Sequence, residues 1–381
     1  MASAESVLAS KRAGFVGLGR LGLCTALTFE RAGWNIVGSD VSQAYVDSIN
    51  SKTLRSDEPE VEAALRRSTK LRATTDLQEV IQHADLVFIL VATPPSGNDR
   101  EAYDTSTLSK VLEDISNTQP TNKHIVICCT ILPGYISQIG SFLLEGCEGC
   151  SLSYNPEFIA QGEVMKGLSE PDLVLIGEGS SDAGDILQRL YEDVSLNTPK
   201  ICRMSPQSAE IMKLSLNCFI TTKISFANMI GDIADATPNA NKFEILASIG
   251  CDSRVGHKCI TPGYGFGGPC FPRDNRALGM YARTVGVEAT ICEAVDSYNN
   301  LHASTMAQAL LDQNRDVYVL SDVAYKSKCP VAIIDESQPL EVARKLVEAR
   351  KKVIICDRAA IISSVKRKFG RLFKYEVQED P

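Results

Sequence analysis

The stretch GFVGLGRLGLCTALTFERAGWNIVGSD, residues 14–40, decides the fold. It opens on a short apolar run and passes through glycines at 17, 19 and 22. A helical segment, LCTALTFERAG, follows and stops at Gly33, and NIVGSD then reads as a second strand ending in Asp40. Strand, tight turn, helix and strand in that order make one step of a parallel α/β winding. Each glycine has a physical task. Gly17 permits the turn, Gly19 lets backbone come close to a ligand, and Gly22 lets the helix pack against the sheet.

That turn points to a ligand class. Free N–H groups and the positive end of a helix accept a diphosphate. Asp40, some 20 residues on, can accept hydrogen bonds from ribose hydroxyls and would repel a 2′-phosphate. The pattern assigns NAD as cofactor, held by Gly17, Gly19, Arg20, Leu21, Gly22 and Asp40.

Outward from this unit the alternation continues. Leu86–Val91, Ile125–Cys129 and Leu173–Ile176 are apolar strand candidates, with helical segments such as Val61–Arg67 and Leu77–His83 between them. From Ser208 to Ala236 the apolar spacing becomes helical over nearly thirty residues, a length that could connect two lobes. Helical text runs on to about Asn300, broken by a glycine-rich stretch. The α/β pattern then returns, with DVYVLSD and KVIICDR as strands and SQPLEVARKLVEARKK as the helix between them. The basic run KRKFGRLFK reads as a solvated face of a terminal element. The expected fold is α/β: an N-terminal Rossmann-like doubly wound parallel sheet, a central long helix with a helical domain, and a smaller C-terminal α/β domain. The expected divisions are 1–206, 207–302 and 303–381.

Composition narrows the function. The 381 residues are 44% hydrophobic and 23% charged, with a net charge of −8. A large core is available, and an acidic balance argues against nucleic acid or an anionic membrane as partner. No apolar run approaches the ~18 residues of a membrane span, and the first ten residues lack the apolar core of a signal peptide. A cytoplasmic, soluble protein is expected. With four histidines and no paired CxxC motif, no metal is expected. Most of the 13 cysteines are expected to be reduced and buried.

One cysteine stands apart. In GYGFGGPCFPRD, residues 263–274, Gly267 and Gly268 remove side chains just before Cys270, and Pro269 and Pro272 stiffen the backbone around it. A nucleophilic thiol needs such open, preorganised surroundings. A thiol and a nicotinamide together suit oxidation of an alcohol to an aldehyde, capture by the thiolate, and a second oxidation to a thioester that water opens to an acid. That scheme needs an oxyanion stabiliser and a carboxylate. Lys213 and Asn217 lie one helical turn apart, Glu157 follows a strand in YNPEFIAQG, and Thr130 ends the strand VICCT.

The same segments in the same order resemble the UDP-glucose/GDP-mannose dehydrogenase family. The matching pieces are GFVGLG with Asp40, ATP at 92–94, CTILPG at 129–134 and NPEFIAQG at 155–162. Further on come PDLVLIG at 171–177, AEIMKLSLNCF at 209–219 and DSRVGHKCITPGYGFGGPCFPRD at 252–274. The resemblance implies Cys270 as nucleophile, Lys213 and Asn217 as oxyanion donors, and Thr130, Glu157 and Asp274 around the catalytic water and proton transfers. It implies Thr93 and Thr130 at the cofactor. It places Glu157, Phe158, Ile159, Lys213, Asn217, Phe266, Gly267 and Phe271 at the substrate. Lys326, in Ala324-Tyr325-Lys326, becomes a uridine-diphosphate contact. Arg254 becomes a residue reaching the substrate of a neighbouring subunit, so a homodimer or higher homo-oligomer built on the long helix is implied.

The implied reaction is NAD-dependent four-electron oxidation of UDP-glucose to UDP-glucuronate, with Phe271 favouring that branch. GDP-mannose or a UDP-N-acetylhexosamine as substrate stays open, as does a degenerate nucleotide-sugar-binding protein. A two-electron hydroxyacid dehydrogenase would share the first lobe and has no use for the cysteine loop. Departures from the family pattern concentrate in a few places. Gln161 stands for a glutamate, Leu173 for an arginine, and Asp335 for the arginine of a DxRES element that keeps Glu336 and Ser337. The chain also ends early for the family.

Overall fold

The computed structural model describes residues 4–97 and 102–378. The chain divides into two compact units, Met1–Lys213 and Leu214–Pro381.

The first unit is built on an eight-stranded sheet. Its strands are β1 (Arg12–Val16), β2 (Asn35–Ser39), β3 (Leu71–Thr74), β4 (Leu86–Ile89), β5 (His124–Ile127), β6 (Ser151–Tyr154), β7 (Leu173–Gly177) and β8 (Lys200–Met204), in the order β3-β2-β1-β4-β5-β6-β7-β8. β1 to β6 are parallel, and Val16 sits between Ser39 on one side and Ile89 on the other. The chain winds to β3 in one direction and then to β6 in the other, so the switch point lies between β1 and β4, where doubly wound sheets bind ligands. β6 and β7 differ from the all-parallel expectation: they pair antiparallel at Tyr154 and Gly177. The intervening chain forms the 155–162 loop and the helix Val164–Ser169, which packs on the helix Arg20–Arg31 through an Arg31 Nη1 hydrogen bond to Ser169 at 2.6 Å. No crossover returns it to the amino-terminal edge, and a parallel strand requires one.

Central strands covered on both faces read as unbroken apolar text, and the four residues of β4 and of β5 are all buried. On one face Phe15 stacks on Phe88 at 5.2 Å and meets Phe29 edge-on at 5.6 Å. Trp34, also buried, donates to Asp193 at 3.2 Å. Ile125, Ile127, Leu108 and Leu112 fill the other face.

The long helix is Pro206–Asp235, close to the expected span, and the units divide within it. In the second unit the helices Lys242–Gly250, Phe271–Thr284 and Thr290–Leu311 precede a three-stranded parallel sheet. Its strands are β9 (Val317–Leu320), β10 (Lys352–Asp357) and β11 (Lys374–Val377), ordered β11-β10-β9. The helix expected to fade near Asn300 continues to Leu311, because Ala303 and Ala307 are buried in the core that also holds Tyr318 and Leu340. β11 has no clear sequence signal. The basic run ends the helix Ala359–Phe369 with exposed Lys366, Arg367 and Lys368, cations that suit a helix C-terminus, while Phe373 turns inward. Of the 13 cysteines, all reduced, six are buried, four half-buried and three exposed, fewer buried than expected. Among the described residues no helix is long and apolar enough to cross a membrane.

Gly22 shows how tightly the first turn is built: a Cβ there would stand 2.0 Å from the carbonyl oxygen of Gly17. Gly22→Ala should therefore destabilise the first unit by roughly 1–3 kcal/mol, as overpacking of backbone does. Urea unfolding checks this, and unchanged stability would mean that the turn can open at no cost.

Candidate active site

Each site residue expected in the first unit follows the carboxyl end of a sheet strand or lies on the long helix. Gly17–Gly22 follow β1, Asp40 follows β2, Thr93 follows β4, Thr130 follows β5 and Glu157 follows β6. Gly17 takes φ +94°, and a Cβ there would meet the Leu90 carbonyl at 2.5 Å, so the turns after β1 and β4 touch. Gly19 differs: no atom lies within 4 Å of the position its Cβ would occupy. It also caps the helix Arg20–Arg31 without a side-chain hydrogen bond, which leaves the first-turn N–H groups without a side-chain cap. Arg20 donates to Asp57 at 2.8 and 3.1 Å, while its buried Nη1 has no hydrogen-bond partner. N–H groups without a side-chain cap, room above a glycine and a guanidinium nitrogen that makes no hydrogen bond fit a diphosphate. Half-buried Asp40, steadied by Ser42 N–H at 3.1 Å, fits the ribose end of NAD.

Two loops follow, each tied by a buried glutamate that sequence reasoning missed. Glu210, fully buried, accepts the N–H of Gly134 at 2.6 Å and of Ile136 at 2.9 Å, fixing the turn after Thr130. Thr93 Oγ1 donates to the Thr130 carbonyl at 2.9 Å and joins the two strand ends. Glu58 accepts the N–H of Gly162 at 3.0 Å and of Val164 at 2.9 Å, fixing the loop that carries Glu157. Asn155 anchors the start of that loop by donating to the Leu175 carbonyl and accepting from Tyr191 Oη. Glu210 lies within a quoted motif, but nothing in its spacing marks it as a clamp. Glu58 precedes a proline and has no signal at all.

Within the first unit the structure gathers Glu157, Phe158 and Lys213. The ammonium of Lys213 donates to the Glu157 carbonyl at 2.7 Å and sits 4.6 Å above the Phe158 ring. Phe158 and Ile159 are both half-buried, packed against the cores on opposite faces of the sheet. Oε1 of Glu157 and of Gln161 are buried without a hydrogen-bond partner. Burial pushes the Glu157 carboxyl up to about 8, against the pull of the Lys213 charge.

The second unit gathers Asn217, Cys270, Phe271 and Asp274. Cys270 is exposed and immediately precedes the helix Phe271–Thr284, with Pro272 in its first turn. Asp274 N–H donates back to the Cys270 carbonyl at 2.8 Å, and its buried carboxylate accepts from Asn217 Nδ2 at 2.6 Å. The glycine loop is fixed by amides: Asn228 accepts from Gly263 N–H, and Asn299 pairs with both backbone groups of Phe266 at 2.9 Å. Phe266 is itself buried. The glycines before the sulfur have a structural reason that the sequence did not give. A Cβ on Gly267 would meet the Glu336 carbonyl at 2.4 Å, and one on Gly268 would meet the Tyr325 ring at 2.4 Å. Lys326 Nζ lies 6.0 Å from that same ring. Arg254 pairs with Asp252 at 2.7 and 2.9 Å and is 88% exposed. Among the described residues no group of His, Cys, Asp and Glu could hold a metal ion.

Comparison with known proteins decides the family. The model described as UDP-glucose/GDP-mannose dehydrogenase family, NAD binding domain, matches residues 11–195, and that family's central domain matches residues 207–301. The chain belongs to the UDP-glucose/GDP-mannose dehydrogenase family. Its members are NAD-dependent nucleotide-sugar dehydrogenases, and NAD is the cofactor here. A GDP-mannose 6-dehydrogenase of Pseudomonas putida is 31% identical over 351 residues, 88% of this chain and 78% of that protein. A UDP-glucose 6-dehydrogenase of Rickettsia bellii is 26% identical over 358 residues, 92% and 82% of the two chains. The solved UDP-glucose dehydrogenase of the hyperthermophilic archaeon Pyrobaculum islandicum superposes with a TM-score of 0.87 at 27% identity, covering 97% of this chain and 86% of that one.

Two outcomes follow from the geometry. Gly19→Ala meets nothing in the protein, so it should unfold like the parent yet bind NAD at least about tenfold more weakly. Calorimetric titration with NAD tests this, and unchanged affinity would remove Gly19 from the cradle. Glu157 gives a pH signature. The unfolded chain releases this proton near 4.5 and the folded one near 8, so stability falls as pH rises between those values and levels above them. Glu157→Gln should remove that slope and gain roughly 4 kcal/mol at pH 8. Denaturant unfolding at pH 5 and pH 8 measures it, and parallel pH dependence in both proteins would contradict it.

Proposed function

We propose that this protein oxidises the primary alcohol of UDP-glucose to a carboxylate, transferring four electrons in two hydride steps through a thioester on Cys270. The observation that carries this reading is exposed Cys270 at the head of a helix whose first turn holds Asp274, buried and hydrogen-bonded to Asn217. When bound, NAD supplies a hydride acceptor. Cys270 as thiolate adds to the aldehyde carbon, an anion favoured by the helix N-terminus. Lys213 and the second amide N–H of Asn217 donate to the oxygen that gains charge in that step. Asp274 fixes which way the Asn217 amide faces. Glu157, ionised above about 8, takes the proton of the water that opens the thioester and returns Cys270 to thiolate.

Phe158, Ile159, Phe271 and Lys326 serve the nucleotide sugar in this reading, and Thr93 and Thr130 the cofactor. UDP-glucose is favoured by the likeness to the Pyrobaculum enzyme over nearly the whole chain. GDP-mannose is the second reading, favoured by the 31% identity to the Pseudomonas putida enzyme. A homodimer is part of the proposal. Phe219, Phe226 and Ile233, spaced by seven on the long helix, are 64%, 42% and 55% exposed and give it an apolar stripe to bury. Arg254 would then serve the partner's substrate. The domain limits at 206 and 302 and a cytoplasmic location complete the reading; the family boundaries at 195, 207 and 301 support the former.

The test is stoichiometry. UDP-glucose, GDP-mannose and UDP-N-acetylhexosamines are each supplied in limiting amount with excess NAD. About two NADH per UDP-glucose is expected. One NADH would remove the thioester route, and two from GDP-mannose alone would move the substrate. Cys270→Ala should lose turnover by a factor of at least ~10⁴ while still binding the nucleotide sugar.

A further inference from the structure

His302 has no task in the proposed reaction, yet it sits where two helices grip the start of the cysteine loop. Residues 263–268 are held from both sides by side chains one helical turn apart. The long helix offers Asn228 and Asp232, and the helix Thr290–Leu311 offers Asn299 and His302. Asn228 accepts from Gly263 N–H at 2.9 Å, and Asn299 pairs with both backbone groups of Phe266. His302 is 5% exposed and joins the long helix to the loop. Its Nε2 lies 2.8 Å from the Gly263 carbonyl oxygen, and its Nδ1 lies 2.9 Å from Oδ2 of half-buried Asp232.

Both neighbours of the ring are acceptors. A carbonyl oxygen can only accept, so Nε2 donates to Gly263. Asp232 Oδ2 already accepts from Tyr298 Oη, whose ring stacks 6.0 Å from the imidazole. Burial, then the hydrogen bond and charge of Asp232, push the Tyr298 phenol up, so it keeps its proton and remains the donor. Nδ1 then donates to the same carboxylate. An imidazole that donates from both nitrogens is an imidazolium. The titratable groups facing it are Asp232 on the long helix and Tyr298 on its own helix, and the loop presents the Gly263 carbonyl. Lys242, whose stem would meet a Cβ on Gly231 at 3.7 Å, is paired with Asp235 at 2.7 Å.

We propose that His302 is a positioning residue for the loop that leads to Cys270, and that it acts as an imidazolium. With both protons the ring bridges the Asp232 carboxylate and the Gly263 carbonyl. With one proton it must release one of them. The proton stays on Nδ1, because a hydrogen bond to a charged acceptor is the stronger. The Nε2 lone pair then faces the Gly263 oxygen and repels it. The start of the loop is released as pH rises, and the backbone that places Phe266, Gly267 and Cys270 loosens with it. The grip does not depend on the proposed function, whereas its effect on turnover rests on it.

Hydrogen exchange of the whole chain tests this at about pH 5.5 and about pH 8.5, on either side of the ordinary imidazole value. Rates are corrected for intrinsic exchange and referred to the amides of the helix Lys242–Gly250 in the same unit. Protection of the Gly263 and Phe266 amides should be roughly tenfold lower at the higher pH. Asp232→Asn is the deciding variant. Its Nδ2 can donate to Nδ1 of a neutral ring, which keeps Nε2–H on Gly263, so its loop protection should be the same at both pH values. Equal protection in the parent would overturn the proposal, as would a variant that loses protection as the parent does. If the variant does not fold, the parent's two pH values decide alone. With UDP-glucose and NAD, kcat of Asp232→Asn relative to the parent should rise about three- to tenfold from the lower pH to the higher. A constant ratio beside the expected exchange would overturn the positioning role. If the chain makes no NADH from any nucleotide sugar, the proposed activity fails and exchange still decides the grip.

Discussion

Two carboxylates hold the working loops of the first unit in place. A loop leaving a strand end has backbone N–H groups that no ladder can satisfy, and burying them unpaired is costly. Glu58 and Glu210 each accept two such groups, one on each oxygen. Hydrogen bonds to a charged acceptor contribute about 1.5–3 kcal/mol apiece, enough to hold a loop in one conformation. Glu58 adds a second connection, because Arg20 Nη1 lies 3.6 Å from it. The glycine turn after β1 and the loop that carries Glu157 are therefore tied to one buried glutamate.

Glu157 and Glu210 show how environment assigns different tasks to one residue type. Burial raises both, but two backbone N–H groups pull Glu210 back toward its charged form. Glu157 has a buried oxygen without a hydrogen-bond partner, and the Lys213 charge and a hydrogen bond from its own backbone offset only part of its burial. The first is a structural anchor. The second is a carboxyl poised to exchange a proton near neutrality, which is what acid–base chemistry requires.

The sequence made the first unit legible because a parallel sheet covered on both faces writes itself as short apolar runs between helices. The helices Val61–Arg67 and Leu77–His83 coincide with their expected spans, and β4, β5 and β7 fall within a residue or two. Asn217 and Asp274 meet through a side-chain hydrogen bond, Cys270 precedes Asp274 by one helical turn, and Arg254 stands in a local pair with Asp252. β3, β6 and β8 were harder to see because their text is short and partly polar, and β11 is exposed along most of its length. The clamps were invisible for another reason. A glutamate's burial is decided by chain segments 76 or 104 residues away, and no local period records that.

The C-terminal portion of the second unit departs most from the family pattern, yet it touches the Cys270 loop directly. Asp335 lends its carbonyl to Gly268 N–H at 2.8 Å, Glu336 grips Arg276 of the helix Phe271–Thr284 at 2.6 Å, and the Tyr325 ring fills the hollow that Gly268 leaves. Whatever its side chains recognise, this segment acts as a splint for the backbone that carries Cys270. Selection on catalysis would then reach residues 325–336 through shape and main-chain pairing. Their side chains would be free to vary in what they recognise.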